Sequence, residues 1–290
     1  MSGRALVVGP HSMLGARLVE RLTGAGWSVV TAGRRDCDVA LDLGAESVGA
    51  LPRPVDADVL FGCAAAFGDD SPAGQRLNER VNSLGCQQLV DLAALTGCAR
   101  LVFAGTCSSA FRLSSAELSS YGFTKLRGEQ LLEWGLRRRA IAFTSVRFPQ
   151  LYDERGECVR HQAWFGRVVT YAGSGRTLRL PGGSAVRNFL HVEDAVSVML
   201  AAVEESLTGV LTATHPEPTT YEAIAHEACA LFRRGGTVEI APEKAPFRDV
   251  YFPPTTPGLF VGRAPRSMMD GLKMIAEART WGQFGGHDVG

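Results

Sequence analysis

Short apolar runs alternate with segments of helical period through the first half of the chain. Ala5 to Val8 is an unbroken apolar run ending at Gly9, the pattern of a strand buried on both faces of a parallel sheet. From Met13 the period becomes helical, with Leu14, Leu18 and Leu22 four apart. Trp27 to Ala32 reads as a second strand, Val59 to Ala66 as a third and Arg100 to Ala104 as another. Helices are predicted from about Ala73 to Thr96 and from Tyr121 to Arg138. Strands alternating with helices predict an α/β protein with a Rossmann-type, doubly wound parallel sheet, whose ligands lie beyond the carboxyl ends of the strands.

The second half divides unevenly. It reads as a helix over Cys158 to Gly173, a strand over Arg176 to Pro181, a helical return over Arg187 to Glu205 and a strand over Val210 to Ala213. Thr219 to Arg233 is a helix with Thr220 placed to cap it and Glu222 in its first turn. Proline-rich Phe247 to Pro257 reads as a loop, Ser267 to Ala278 as a closing helix and Gly285 to Gly290 as a frayed tail. The expected division is a larger domain over residues 1–150, rejoined by 185–215. Residues 151–184 and 216–290 form a smaller C-terminal domain.

Composition narrows the function classes. The 290 residues are 46% hydrophobic, enough for a sizeable core, and 30 basic residues balance 30 acidic ones. No global field favours nucleic acid or an anionic membrane, so an anion site has to be local. No run approaches the roughly 20 apolar residues of a membrane span, and a cytoplasmic protein is expected. The seven cysteines are an odd number without C-x-x-C spacing, and the six histidines are dispersed. Neither a disulfide framework nor a metal site is expected; His226 and Cys229 share a helical face but lack further ligands.

The candidate chemistry begins at the first turn. Gly9-x-x-Ser12-x-x-Gly15 places glycines where a dinucleotide fingerprint needs a tight turn and a close helix contact, with a serine at the middle position. The helix-start amides around Met13 and Leu14 suit a pyrophosphate, and the Ser12 hydroxyl is a further donor. The second strand ends 24 positions after Gly9, at Gly33-Arg34-Arg35. Arginine there suits a 2′-phosphate, and Asp36 lies beyond the pair, so NADP is favoured over NAD. Asp42 and Leu43 sit in a segment beside the adenine position. Cys63, Ala64 and Ala65 are small residues that let a ligand lie against the backbone. Thr106 ends a strand, and Tyr121 and Lys125 share one helical face. The ammonium favours phenolate, lowering the tyrosine pKa for proton exchange with a carbinol or ketone.

Five motifs in order resemble the extended short-chain dehydrogenase/reductase family of nucleotide-sugar epimerases, dehydratases and reductases. Beside the glycine turn and the Tyr121/Lys125 pair, they are Val81-Asn82-Ser83-Leu84-Gly85-Cys86, Arg147-Phe148-Pro149-Gln150-Leu151-Tyr152-Asp153 and Arg187-Asn188-Phe189-Leu190-His191-Val192-Glu193-Asp194. The resemblance implies that Tyr121 is the acid/base, that Lys125 binds the nicotinamide ribose and that Thr106 hydrogen-bonds the reacting oxygen. It implies that Asn82 organises the site, that Pro149 and Gln150 lie near nicotinamide and substrate, and that Arg187 holds the nucleotide diphosphate. His161 and Gln162 are candidates for substrate contact, and a homodimer through the helices after Val81 and Tyr121 is implied.

Three departures stand out: Ser12 for the middle glycine, Gln150 for the usual asparagine, and Tyr121 only 15 positions after Thr106. Cys107-Ser108 replaces the Asp-Glu that follows the threonine of 4,6-dehydratases, which argues against that elimination. The leading expectation is an NADP(H)-dependent reductase of a keto group on a nucleotide-activated sugar. A nucleotide-sugar epimerase is the alternative. A dinucleotide-sensing regulatory protein is a third reading, against which the intact Tyr121 and Lys125 weigh.

Overall fold

A computed structural model describes residues 3–49, 54–115, 117–183, 185–248 and 250–285. The chain opens with β1 (Arg4–Val8), α1 (Met13–Gly24), β2 (Ser28–Gly33), β3 (Val39–Ala40) and β4 (Val59–Gly62). It continues through α2 (Pro72–Asn78), a π-helical turn (Glu79–Leu84), α3 (Cys86–Leu95), β5 (Arg100–Thr106), α4 (Ser120–Arg137) and β6 (Ala142–Phe148). After these come β7 (Gln150–Tyr152), α5 (Ala163–Ser174), β8 (Thr177–Pro181), β9 (Phe189–His191) and α6 (Val192–Glu204). The last elements are β10 (Gly209–Thr212), α7 (Tyr221–Phe232), β11 (Thr237–Ala241) and α8 (Met268–Ala278).

Two compact units result. One comprises the chain up to Phe148 with Val196–Ala213; the other comprises Pro149–Ala195 with the chain from Thr214 onward. The segment 185–195, placed by sequence with the larger domain, thus belongs to the second unit. In the first unit a seven-stranded sheet runs in the order β10-β6-β5-β4-β1-β2-β3. Each neighbouring pair is parallel. The order reverses between β1 and β4, the switch point of a Rossmann fold, where strand ends open a crevice. The buried apolar faces of β1, β4 and β5 explain the central position of these strands: Leu6, Leu60 and Leu101 are fully enclosed, packed with Leu89, Leu92, Leu132 and Leu136 from α3 and α4. The second unit carries two parallel pairs, β11 with β8 and β7 with β9.

Three sequence expectations change in detail. The single helix predicted from Ala73 to Thr96 is α2, the π turn and α3; widening a helix by one residue leaves its apolar rhythm readable, so periodicity does not register it. The helix predicted from Cys158 begins only at Ala163, because the Asp153 carboxylate accepts the N–H groups of Arg155, Glu157 and Cys158 and closes a separate 3-10 turn there. The helical return expected over Arg187 to Glu205 begins only at Val192, after strand β9. β3 is two residues long and β11 buries only Ala241 fully, so neither carries a strand pattern. As expected, Thr220 caps α7, accepting from the Ala223 N–H at 3.0 Å. Among the described residues no helix is long and apolar enough to cross a membrane. The tail expected after Gly285 lies outside the described residues.

Candidate active site

The turn after β1 is tight because backbone fills the space side chains would need. Gly9 has φ +84°, and a Cβ there would come within 2.7 Å of the Ala64 nitrogen. A Cβ on Gly15 would meet the Gly9 carbonyl oxygen at 2.1 Å. Ser12 caps α1, its hydroxyl accepting from Gly15 N–H at 3.0 Å and donating to the Gly9 oxygen at 2.9 Å. The proton expected to serve a phosphate is therefore used within the turn. What remains for an anion is the set of first-turn amides at Met13 and Leu14, which an α-helix cannot satisfy internally. This cradle fits a dinucleotide pyrophosphate.

Arg34 and Arg35 follow β2 and are both exposed. The backbone beneath them is shaped by Asp36 at φ +46° and by His11, whose Nε2 donates to the Arg35 carbonyl at 2.9 Å. The first turn and the arginine turn are thereby tied together. Asp42 is exposed and its carboxylate accepts from Gly44 N–H at 2.9 Å. Leu43, expected beside the adenine, instead puts its side chain into the core. Cys63 is also buried, and burial pushes its thiol up to about 12. Ala64 and Ala65 remain partly accessible.

Thr106 closes β5, and its Oγ accepts from Ser108 N–H at 3.3 Å, leaving the hydroxyl proton to donate elsewhere. The start of α4 lies directly on this turn, since a Cβ on Gly122 would meet Ser108 atoms at 2.9 Å. Lys125 is buried, its Nζ donating to the Ala104 carbonyl at 2.7 Å and lying 3.8 Å from the centre of the Phe103 ring. Thr106, Tyr121 and Lys125 are therefore gathered around the carboxyl end of β5. Burial lowers Lys125 to about 8, against the opposing influence of Cys86, Glu129 and Cys63. The Tyr121 phenol moves opposite to the sequence expectation. Burial raises it, while the Lys125 ammonium is committed to Ala104 and Phe103.

Asn82 holds the loop after β4, its side chain accepting from Ala66 N–H at 2.8 Å and donating to the Ala66 oxygen at 2.9 Å. Asn78 grips Gly68 in the same way. Between them Phe67 stacks on Tyr121, with ring centres 4.7 Å apart and planes at 18°. Beneath the site, Glu129 accepts from Ser145 Oγ at 2.6 Å and from Arg147 Nε at 3.1 Å, and pairs with Arg147 Nη2 as well. Sequence reading passed over Phe67, Asn78 and Glu129. Only the i, i+4 asparagine pair was a visible signal, and its partners are backbone groups distant in sequence.

In the second unit, Pro149 precedes β7 and Gln150 opens it. Gln150 Nε2 donates to Gln162 Oε1 at 2.8 Å, bringing two of the substrate candidates together, and Gln150 Oε1 is buried with no partner among the described residues. His161 is exposed and stands outside this pair. Arg187 is buried, its Nη1 donating to the carbonyls of Val186 and Arg248 at 2.7 and 3.0 Å. Its guanidinium also lies 5.3 Å from the Tyr221 ring and 5.5 Å from the Phe247 ring. Trp164 completes this cluster, 4.9 Å from Phe247.

Comparison with known proteins agrees with this architecture. The Streptomyces sp protein described as 3-diazoavenalumate denitrifying reductase is 31% identical over 159 residues, which are 52% of this chain and 52% of that protein. The match thus spans about half the length of that curated relative. The UDP-glucose 4-epimerase of Thermus thermophilus, in complex with NAD, has a TM-score of 0.72 at 19% identity over 96% of this chain and 98% of its own. RMD from Pseudomonas aeruginosa, complexed with NADPH, has a TM-score of 0.76 at 16% identity, with the same two coverages of 96% and 98%. At such identities the likeness to the solved structures is one of fold. Residues 5–211 match the family model directly, and the chain belongs to the NAD dependent epimerase/dehydratase family.

Proposed function

We propose that this chain is an NADPH-dependent reductase of a keto group carried by a nucleotide-activated sugar. The observation that carries this reading is the packing of the Tyr121–Lys125 turn of α4 on the end of β5, with Gly122 against Ser108 and Lys125 bonded to Ala104; enclosure of the Tyr121 phenol there raises its pKa and favours its proton-bearing form. Reduction of a ketone adds hydride to carbon and a proton to oxygen. The bound reduced nicotinamide supplies the hydride, and Tyr121 donates the proton. Thr106 uses its remaining proton to hydrogen-bond the same oxygen. An epimerase first has to remove a proton from a carbinol, a step that the raised phenol pKa disfavours. A dinucleotide sensor without turnover needs neither Tyr121 nor Lys125. The Streptomyces relative, itself named a reductase, supports the reductive direction. The Arg187 motif supports a nucleotide-bearing substrate. The cysteines, all seven free and five of them buried, suit the reducing cytoplasm.

The exposed Arg34 and Arg35 support the phosphorylated cofactor. Replacing both with alanine is expected to weaken NADPH much more than NADH, because charge-assisted hydrogen bonds of about 1.5–3 kcal/mol each are lost only with the 2′-phosphate. Fluorescence titration of both cofactors measures this; a wild type that binds NADH more tightly removes the assignment.

A second acceptor is supported by the relative's name, a diazo compound that loses its nitrogen. For a diazonium cation, hydride forms a C–H bond as N2 departs with the C–N electron pair, and no proton is taken up. The two readings therefore separate at Tyr121, which only the ketone requires as donor. The deciding experiment incubates the enzyme anaerobically with NADPH and either keto-sugar nucleotides or an arenediazonium carboxylate. Equimolar NADPH loss and reduced sugar is the expected result. Sugar interconversion without NADPH loss rejects the reductase in favour of the epimerase, and N2 release equimolar with NADPH loss establishes the second acceptor.

A further inference from the structure

We propose that Phe67 is a positioning residue for Tyr121, its ring lying flat on the phenol so as to fix its plane and keep water from that face. The inference rests on the reading of Tyr121 as the proton donor. The two rings are 4.7 Å apart at 18°, within the spacing of stacked aromatic pairs. Yet Phe67 is 52% exposed, so burial of its own surface does not account for its place. Backbone clamps do. Gly68 N–H donates to Asn78 Oδ1 at 2.8 Å while Asn78 Nδ2 donates to the Gly68 oxygen at 2.9 Å. Asn82 holds Ala66 through the matching pair of bonds. The residues on either side of Phe67 are thus gripped much as a strand is gripped by its neighbour, by amides that are themselves buried.

The same clamp reaches the catalytic helix. Asn78 Nδ2 also donates to Ser120 Oγ at 2.9 Å, Ser120 Oγ donates to the Asp69 oxygen at 3.2 Å, and Ser120 N–H donates to Asp70 Oδ1 at 2.7 Å. Ser120 precedes Tyr121, so one asparagine sets both the loop bearing Phe67 and the turn bearing the phenol. Excluding water from a phenol disfavours its ionised form. The charged groups around this end of α4 are Lys125 on the helix itself, Asp69 and Asp70 beside Ser120, and the Glu79–Arg127 pair at 2.8 Å. Phe67 carries no charge, so its removal leaves these ionic groups in place.

The test replaces the five tyrosines with 3-fluorotyrosine, whose phenol is more acidic than that of tyrosine, and follows them by fluorine NMR. The Tyr121 resonance is identified by its loss in Tyr121→Phe. In Phe67→Ala its midpoint is expected to fall by about one pH unit, a tenfold gain in acidity, with a change of resonance position as the ring current is lost. Phe67→Trp is expected to restore the midpoint. An unchanged midpoint in Phe67→Ala overturns the proposal, as does a fall that Phe67→Trp fails to restore. No substrate is needed, so this result and the NADPH stoichiometry fail independently.

Discussion

Tyr121→Phe is expected to lower turnover of a keto substrate by about 10²–10⁴-fold, the usual contribution of a positioned general acid. The substitution removes one hydroxyl from a ring whose place is set by the Phe67 stack and by the Ser119 cap of α4, which accepts from Gly122 N–H at 3.3 Å. Fold and dinucleotide affinity are therefore expected to stay as they are. Steady-state kinetics beside an NADPH titration checks both halves. Full activity with a keto substrate would remove Tyr121 as proton donor, whereas retained activity confined to a diazonium substrate points to the second acceptor.

Glu129→Ala is expected to cost about 3–5 kcal/mol of stability, because it leaves the Arg147 guanidinium largely enclosed with its carboxylate gone. The side chains of Glu129 and Arg147 are 4% and 17% exposed, and Ser145 loses its acceptor as well. Replacing both charges at once, as Glu129→Leu with Arg147→Met, is expected to recover most of the loss, since no uncompensated charge remains. Urea unfolding of the two variants and the wild type provides the comparison. A single variant as stable as the wild type would show that the pair is solvated in solution.

Strands β1, β2, β4, β5 and β10 were legible because they are short apolar runs separated by helical periods, whereas β6 was not read as a strand. Leu6, Leu60 and Leu101 fall in predicted strands and lie in the core of the structure. Helix α4 was equally plain, since eighteen residues give several turns of evidence for one period. Short or exposed elements were not. β3 has too few residues to display a pattern, and the 3-10 turn before α5 exists because of the Asp153 carboxylate rather than any rhythm of apolar positions.

By itself the sequence determined the parallel α/β architecture, the family, and the residue types around the candidate site, because periodicity, glycine placement and motif spacing are local properties of the chain. The direction in which Tyr121 titrates was decided only by the tertiary structure. Spacing showed a lysine four residues from a tyrosine, but burial of the phenol, and the engagement of Lys125 by Ala104 and Phe103, depend on β5 packing under α4. The same holds for Ser12, whose hydroxyl is absorbed by Gly9 and Gly15, and for Phe67, which reaches Tyr121 because Asn78 and Asn82 hold its neighbours. A side chain's type is written in the chain, but its hydration and hydrogen-bond partners are set by whatever distant segment folds against it.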